Sequence, residues 1–386
     1  MMLGIEAYWS DFKQPKYLDP YLLFATIGLM LMGLVLVTTA SINFASVNFD
    51  NPWFFMQRQL IFMLLAVFVG LAVLSLSSQF FYKSSTVLLF VGLFALALLF
   101  IPGLAIEVNG SRRWLPLGLF NLQPSELAKF TLVLFLAAYL QRQQAEVFTK
   151  FFAFVKPLIV MSAYAILVLL QPDWGATAIL VGATAAMLFL AGARLLWFML
   201  CLSVVGFLMY LALSIEGYRV ARLMSFRDPW APEFIHGAGY QLTQSLIGVG
   251  RGGWWGQGLG NSIQKLAFLP EAHTDFIFAI AGEELGFAGH LIIIALFSIL
   301  IWRILAIGWR AQCNNKLFEA YFCYGVATVF ALQFMVNTGV NIGLLPTKGL
   351  TLPFISYGGA SLLISVLMVM LCQRIHHELQ QEVARG

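Results

Sequence analysis

Three short stretches of this chain place ionisable residues beside long apolar runs, where a charge is costly and usually functional. In QPSELAKF (123–130), Glu126 and Lys129 stand three residues apart, on one face of a helix. Pro124 and Ser125 suit the start of that helix, with Glu126 in its first turn. Such a pair either bridges two helices as an internal salt bridge or holds a cation for an anionic ligand. In LPEAHTDFIFAIAGEELG (269–286), Pro270 breaks what precedes it, and His273, Thr274 and Asp275 come directly before an apolar run. A carboxylate there is partly desolvated, which raises its proton affinity towards that of a general base. The competing role is a helix N-cap, open to Thr274 or Asp275. Glu283 and Glu284 lie about 12 Å deeper, where a helix-bridging hydrogen bond is expected. In LLPTKGLTLPFISYGGAS (344–361), Pro346 and Pro353 bracket an irregular loop that carries Lys348. A helix expected to open at Ser356-Tyr357-Gly358-Gly359 would turn its anion-attracting N-terminus to the same mouth, although its small residues equally suit close helix packing.

Other motifs carry less. Residues 248–260 (GVGRGGWWGQGLG) match GxGxxG in form, but no βαβ unit surrounds them and no GK[ST] follows, so nucleotide binding is rejected. With Arg251, Trp254 and Trp255, the segment reads as a mobile loop at the level of lipid headgroups. Cys201, Cys313, Cys323 and Cys372 lie in or beside apolar segments without metal-ligand spacing and read as small buried hydrophobes. Asn109-Gly110-Ser111 matches a glycosylation sequon, a pattern frequent by chance.

The elements that must position these residues follow from composition. Of 386 residues, 60% are hydrophobic and 10% charged, with mean hydropathy +0.85. Soluble domains carry about 25% charged residues, so a soluble enzyme is excluded. The net charge of +4 gives no argument for nucleic acid. Apolar stretches long enough to cross a hydrocarbon core predict an all-α integral membrane protein of about ten transmembrane helices. They fall near 19–42, 56–77, 84–102, 124–141, 152–171, 174–193, 195–214, 275–305, 317–343 and 354–373. The first residues are mixed polar and aromatic and do not resemble a cleavable signal peptide. Lys13, Lys16, Lys83, Arg142, Lys150, Arg194, Arg310, Lys316 and Arg374 fall in one set of short loops, which puts both termini in the cytoplasm. Residues 102–124 and 215–274 then face outward, the latter a large extracytoplasmic loop between helices 7 and 8. Loops of that length are usually functional, so chemistry is expected on the outside. The whole chain, 1–386, reads as a single transmembrane domain.

Four stretches together, GSRRWLPLG (110–118), QPSELAKF (123–130), LPEAHTDFIFAIAGEELG (269–286) and GLTLPFISYGG (349–359), resemble the signature motifs of the SEDS family (shape, elongation, division and sporulation). The resemblance runs from the first span to the last, and NSIQKLAFLPEAHTDF with LLPTKGLTLPFISYGG is similar to the division branch. Rod-elongation members typically have Arg where this chain has Ala272. The chain departs at Ala360, where many members have Ser.

The resemblance implies a glycosyltransferase that polymerises lipid II into peptidoglycan strands at the division septum of the bacterial inner membrane. It further implies a class B penicillin-binding transpeptidase of the FtsI type and other divisome membrane proteins as partners. The family's essential aspartate falls on Asp275, and its paired carboxylate and lysine fall on Glu126 and Lys129. Lys129, Arg113, Arg222 and Lys348 are then candidates to hold pyrophosphate, with His273, Ser356 and Tyr357 also at the substrate. A divalent cation could assist, but no set of sequence ligands demands one. Two rivals remain. A lipid II flippase needs polar groups reaching both faces, whereas here they crowd one. A pure division scaffold needs no intramembrane charge.

Overall fold

The computed structural model describes residues 18–108, 111–116, 118, 121–200, 203, 226–237, 239–347 and 349–385. Among them, α1 (Pro20–Phe49), α2 (Phe54–Ser75) and α3 (Ser78–Leu98) lead into a small antiparallel sheet of β1 (Ile106–Val108), β2 (Ser111–Pro116) and β3 (Asn121–Leu122). Then come α4 (Pro124–Thr149), α5 (Phe151–Leu169) and α6 (Trp174–Leu190), followed by α7 (Tyr240–Gly252), α8 (Ile277–Cys313), α9 (Leu317–Asn341) and α10 (Gly359–Arg385). Seven of these helices are long and apolar enough to cross a membrane. The shorter α6 is equally apolar, and α4 occupies the expected fourth span. The expected seventh span, 195–214, is helical at 195–200 after a turn at Gly192 (φ 86°), and its remainder lies almost wholly outside the described residues.

Large apolar side chains point outward along the first three helices, among them Phe24, Leu31, Phe68 and Phe94, as lipid-facing helices require. The most apolar windows of α9 and α10 are 67% and 83% buried, against 28% for α2, so α9 and α10 form the centre of the bundle. Buried polar groups concentrate at its two ends. At the far end, Asp19 caps α1 by accepting from the Leu22 N–H at 2.9 Å and is paired with Arg303 of α8. The Gln373 side chain of α10 donates to the Asp19 carbonyl at 2.9 Å and accepts from the Asp19 N–H at 2.8 Å. Ser78 donates to Glu319 at 2.9 Å, and Lys316 pairs with Glu382. These bonds tie α1, α3, α8, α9 and α10 together.

The structure is predominantly helical, as expected, and 102–124 adds the three short strands. There Ile106 pairs with Trp114 and Leu115 with Leu122, across a bulge between Ile106 and Glu107. The last span opens at Gly359 rather than Ser356, since Phe354 is held at φ 67°. It also runs well beyond residue 373, because its polar C-terminal turns make the far-end contacts.

The 248–260 segment is not a loose loop either. Its first five residues finish α7, and the rest crosses α8 where Gly286 (φ 68°, ψ −164°) breaks that helix. The break frees backbone groups that a membrane helix must satisfy internally, and the glycine-rich strand supplies their partners. Gln257 and Gly258 N–H groups donate to the Glu283 and Glu284 carbonyls at 2.9 and 3.0 Å, while Phe287 and Ala288 donate to Gly253 and Trp254 at 2.9 and 3.1 Å. The two glutamate side chains fasten the same segment. Glu283 accepts from Ile263 N–H at 3.0 Å and from Ser262, and pairs with Arg251 at 3.0 Å, while Glu284 pairs with Lys265 at 3.3 Å.

This contact needs bare backbone. A Cβ on Gly252 would collide with the Gly282 carbonyl, whereas one on Gly250 would meet nothing within 4 Å. Gly252→Ala should therefore lower thermal stability by about 1–3 kcal/mol. Gly250→Ala, in the same helix, should raise it by about 0.5–1 kcal/mol. Melting both variants in detergent checks the docking, and equal shifts would show that the strand is not seated on α8.

Candidate functional site

The end of the bundle opposite Asp19 gathers β2 and three irregular segments: the turn before α6, the turn before α8 and the stretch between α9 and α10. The irregular segments are held largely by side-chain bonds. Glu271 (φ 57°) makes a tight turn whose carbonyl accepts from the N–H groups of Thr274, Asp275 and Phe276 at 3.1–3.2 Å. On the other side, the Asp275 carbonyl accepts from Asn337 and Asn341 of α9 at 2.9 and 3.1 Å. Asn341 also accepts from the Ala279 N–H at 3.0 Å, and Asn337 donates to the Leu350 carbonyl at 2.6 Å. The Asp275 backbone is thus held from both directions. Its carboxyl caps no helix, since the N-cap position of α8 is Phe276 and carries no side-chain cap bond.

That carboxyl lines a cleft of about 210 Å³ with Arg113, Asp173, Gln241, Thr347 and Gly349. A Cβ on Gly349 would stand 2.8 Å from Asp275 Oδ2, so a side chain here would push the carboxyl from its place. Burial, reinforced by the negative charges of Glu271 and Asp173 and opposed by Arg113, pushes the Asp275 carboxyl up to about 7. Asp173 is raised as well, mainly by burial. It caps α6 through the Ala176 N–H at 3.0 Å, and Ser125 of α4 reaches its other oxygen at 3.4 Å. Arg113 is steered into the cleft by donating to the carbonyls of Gln171 and Pro172 at 3.1 and 2.9 Å. The cleft therefore presents a weakly acidic carboxyl that is protonated and deprotonated near neutrality, a second carboxyl, and one cation that cannot lose its charge.

The other sequence candidates fall elsewhere. Lys129 and Glu126 form a 2.7 Å ion pair near Asp173, with side chains 1% and 7% exposed. Lys129 is therefore buried and is not among the residues that line the cleft. His273 lies in an aromatic cluster, its ring centroid 4.6 Å from Phe55, 5.5 Å from Phe44 and 6.0 Å from Tyr357. Burial lowers the pKa of its imidazole. Ser356 donates to the Thr274 carbonyl at 2.5 Å and accepts from Leu352 N–H at 2.8 Å. The Tyr357 N–H donates to the His273 carbonyl at 3.0 Å. These three residues tie the α10 approach to the α8 approach and do not line the cleft. Arg222 and Lys348 lie outside the described residues. Among the described residues, no group of three or more His, Cys, Asp or Glu side chains forms a metal-binding set.

Sequence reasoning missed Asp173, Gln241, Asn337 and Asn341. Asp173 repeats the pattern that drew attention to Asp275, an acid just before an apolar run. The two asparagines stand four residues apart on one face of a spanning helix, where amides need partners.

The family model described as "Cell cycle protein", covering FtsW, RodA and SpoVE, matches residues 20–381. A "Probable peptidoglycan glycosyltransferase FtsW" of Legionella pneumophila is 47% identical over 361 residues, 93% of this chain and 91% of that protein. One of the same description from Coxiella burnetii is 44% identical over 360 residues, covering 93% and 96%. Among solved structures, a chain described under "Structural coordination of polymerization and crosslinking by a peptidoglycan synthase complex" superposes with TM-score 0.77 at 25% identity, covering 94% of this chain and 99% of that one. The rod shape determining protein RodA of Thermus thermophilus gives TM-score 0.68 at 26% identity, covering 94% and 97%.

The buried Glu126–Lys129 pair yields a separable test of its role. Lys129→Met strands a buried carboxylate and should cost about 3–5 kcal/mol. Adding Glu126→Gln removes the stranded charge and should restore the melting temperature to near the parent value. If the restored double variant also recovers full activity, the pair is structural. If it melts normally but stays inactive, the ammonium acts on the ligand.

Proposed function

This chain belongs to the cell cycle protein family of FtsW, RodA and SpoVE, the SEDS family, and on that basis we propose that it is a peptidoglycan glycosyltransferase. It joins lipid II units into β-1,4-linked glycan strands during septal wall synthesis, with Asp275 as the general base. The observation that carries the reading is the Asp275 carboxyl: uncapped, fixed through its backbone, raised to about 7 and facing a polar cleft.

The chemistry follows from that group. Asp275 takes the proton from the acceptor sugar's 4-hydroxyl as its oxygen attacks the donor's anomeric carbon. The bond from that carbon to the pyrophosphate breaks, and the lipid pyrophosphate departs with the electron pair. Attack opposite the leaving group inverts an α-linked donor to a β-link. A pyrophosphate leaves without strong acid help when cations stabilise its charge. Arg113 is placed for this role in the cleft, and Lys129, buried in its ion pair with Glu126, remains a sequence-based candidate. Arg222 and Lys348 remain sequence-based candidates for the same anion, and His273, Ser356 and Tyr357 serve this reading by positioning the two loops. The Asp19–Arg303–Gln373 and Ser78–Glu319 bonds tie the helices together at the far end of the bundle, which supports polymerisation over a flippase path open to both faces.

A class B penicillin-binding transpeptidase, which cross-links strands as they form, is the partner this activity calls for. The cleft faces outward and both termini are cytoplasmic in a multi-pass inner-membrane arrangement at the septum.

Two experiments test the reading. Asp275→Asn preserves size but removes the base, and should lower lipid II polymerisation by about 10²–10⁴-fold while expression and melting stay close to the parent. Because the base is the deprotonated carboxyl, the parent's kcat/KM should rise with pH to a plateau above about 7 and fall about tenfold per unit below it. A flat profile from pH 5 to 8, or Asp275→Asn activity within a fewfold of the parent, would end the general-base mechanism. For sidedness, Gln257 is exposed on the segment that crosses α8. A membrane-impermeant maleimide should label Gln257→Cys in intact spheroplasts. Labelling only after permeabilisation would reverse the topology.

A further inference from the structure

Side chains alternate across a β-strand, so Arg112 and Arg113 of β2 point to opposite faces. Arg113 enters the Asp275 cleft. Arg112 enters a second one, of about 340 Å³, that shares only Pro172 with the first. Pockets for small ligands begin at about 300 Å³, and the polar groups of this one are of mixed kind. Arg112 donates its Nε to Glu107 at 3.1 Å, which leaves the pair neutral overall. Ser111 offers a hydroxyl. Gln171, 4% exposed, lines the cleft, and its amide nitrogen has no hydrogen-bond partner. An unpartnered buried donor costs about 1–3 kcal/mol, and the final torsion of a glutamine is soft, so the amide can turn to an acceptor in the cleft. The apolar wall comes from Phe100, which offers an aromatic face, and Leu170.

A diphosphate would be poorly served here, because Glu107 opposes an anion and already occupies Arg112. A neutral, polyhydroxylated ring is well served. It brings both donors and acceptors for Glu107, Arg112, Ser111 and Gln171, and an apolar C–H face for Phe100. The geometry points to this cleft as a saccharide subsite, binding an amino-sugar unit of the glycan substrate next to the unit that reacts at Asp275. The Gln171-Pro172 segment is the wall between the two subsites. Its carbonyls hold Arg113 on one side, and the Gln171 side chain faces the other. The inference rests on the glycosyltransferase reading and adds to it a second, non-reacting sugar position.

The test uses the purified full-length protein in detergent. Lipid II polymerisation is measured by kcat and KM separately, and N,N′-diacetylchitobiose serves as a soluble probe in saturation-transfer NMR. Gln171→Leu should raise the lipid II KM about three- to tenfold with kcat within about twofold, and should abolish saturation transfer to the disaccharide. An unchanged KM together with undiminished transfer, in a parent that polymerises normally, overturns the subsite and leaves the glycosyltransferase reading intact. A parent that binds the disaccharide through Gln171 but forms no glycan overturns the glycosyltransferase reading and leaves the sugar site standing. If Gln171→Leu does not fold, Glu107→Gln, on the exposed hairpin, replaces it. That variant should weaken the disaccharide signal and raise KM in the same way, and no change in either refutes the subsite.

Discussion

Backbone that leaves a helix near a membrane must find its hydrogen-bond partners inside the protein, and the site end of this molecule depends on how few side chains provide them. Two carboxylates on α8 and two asparagines on α9 do most of it. Glu283 and Glu284 receive the backbone and cations of the segment that crosses the α8 break. Asn337 and Asn341 receive the turn that carries Asp275 and the stretch that carries Gly349. With those anchors in place, a non-helical loop becomes a rigid platform, and the Asp275 carboxyl is left without a structural duty.

The electrostatics of the cleft follow from that release. A carboxylate that accepted backbone N–H bonds would be driven to low pKa. Asp275 instead meets burial and two neighbouring acids, with one arginine in opposition. Asp173 is also raised by burial, but it spends one oxygen on the α6 N-terminus, and that bond pulls against the rise. Equivalent residue types thus take different roles according to whether the backbone claims their oxygens.

Much of this was legible in the sequence. Apolar length found the stretches that seven membrane-length apolar helices occupy among the described residues, and desolvation at the edge of an apolar run singled out Asp275. At least one of Glu283 and Glu284 was expected to face the interior as a helix bridge, and both side chains do so. The rest was not legible for identifiable reasons. Helix ends depend on caps and on tertiary bonds, so Phe354 at φ 67° delayed α10 and the far-end contacts of Gln373 prolonged it. The strands of 106–122 are too short for periodicity to register. Glycine density was read as mobility, whereas here it marks close backbone approach to α8. Lys129 was left between an internal salt bridge and an anion site, because spacing reports the face of a helix and not its depth in the bundle. Asp173 escaped notice because its local duty is a helix cap, while the cleft it shares with Asp275 is assembled from segments remote in sequence.

The bonds around Asp275 also impose an order on biogenesis. The residue is synthesised before α9, yet its carbonyl has no partner until Asn337 and Asn341 arrive, and Gly349 closes the cleft only after that. Ser356 and Tyr357 then lock the preceding turn from the start of α10. Chains insert from the N-terminus as they are made, so a ribosome-bound chain ending before α9 would have most of its spans and an unformed Asp275 cleft. That cleft is therefore completed late, as the last two helices enter the bundle.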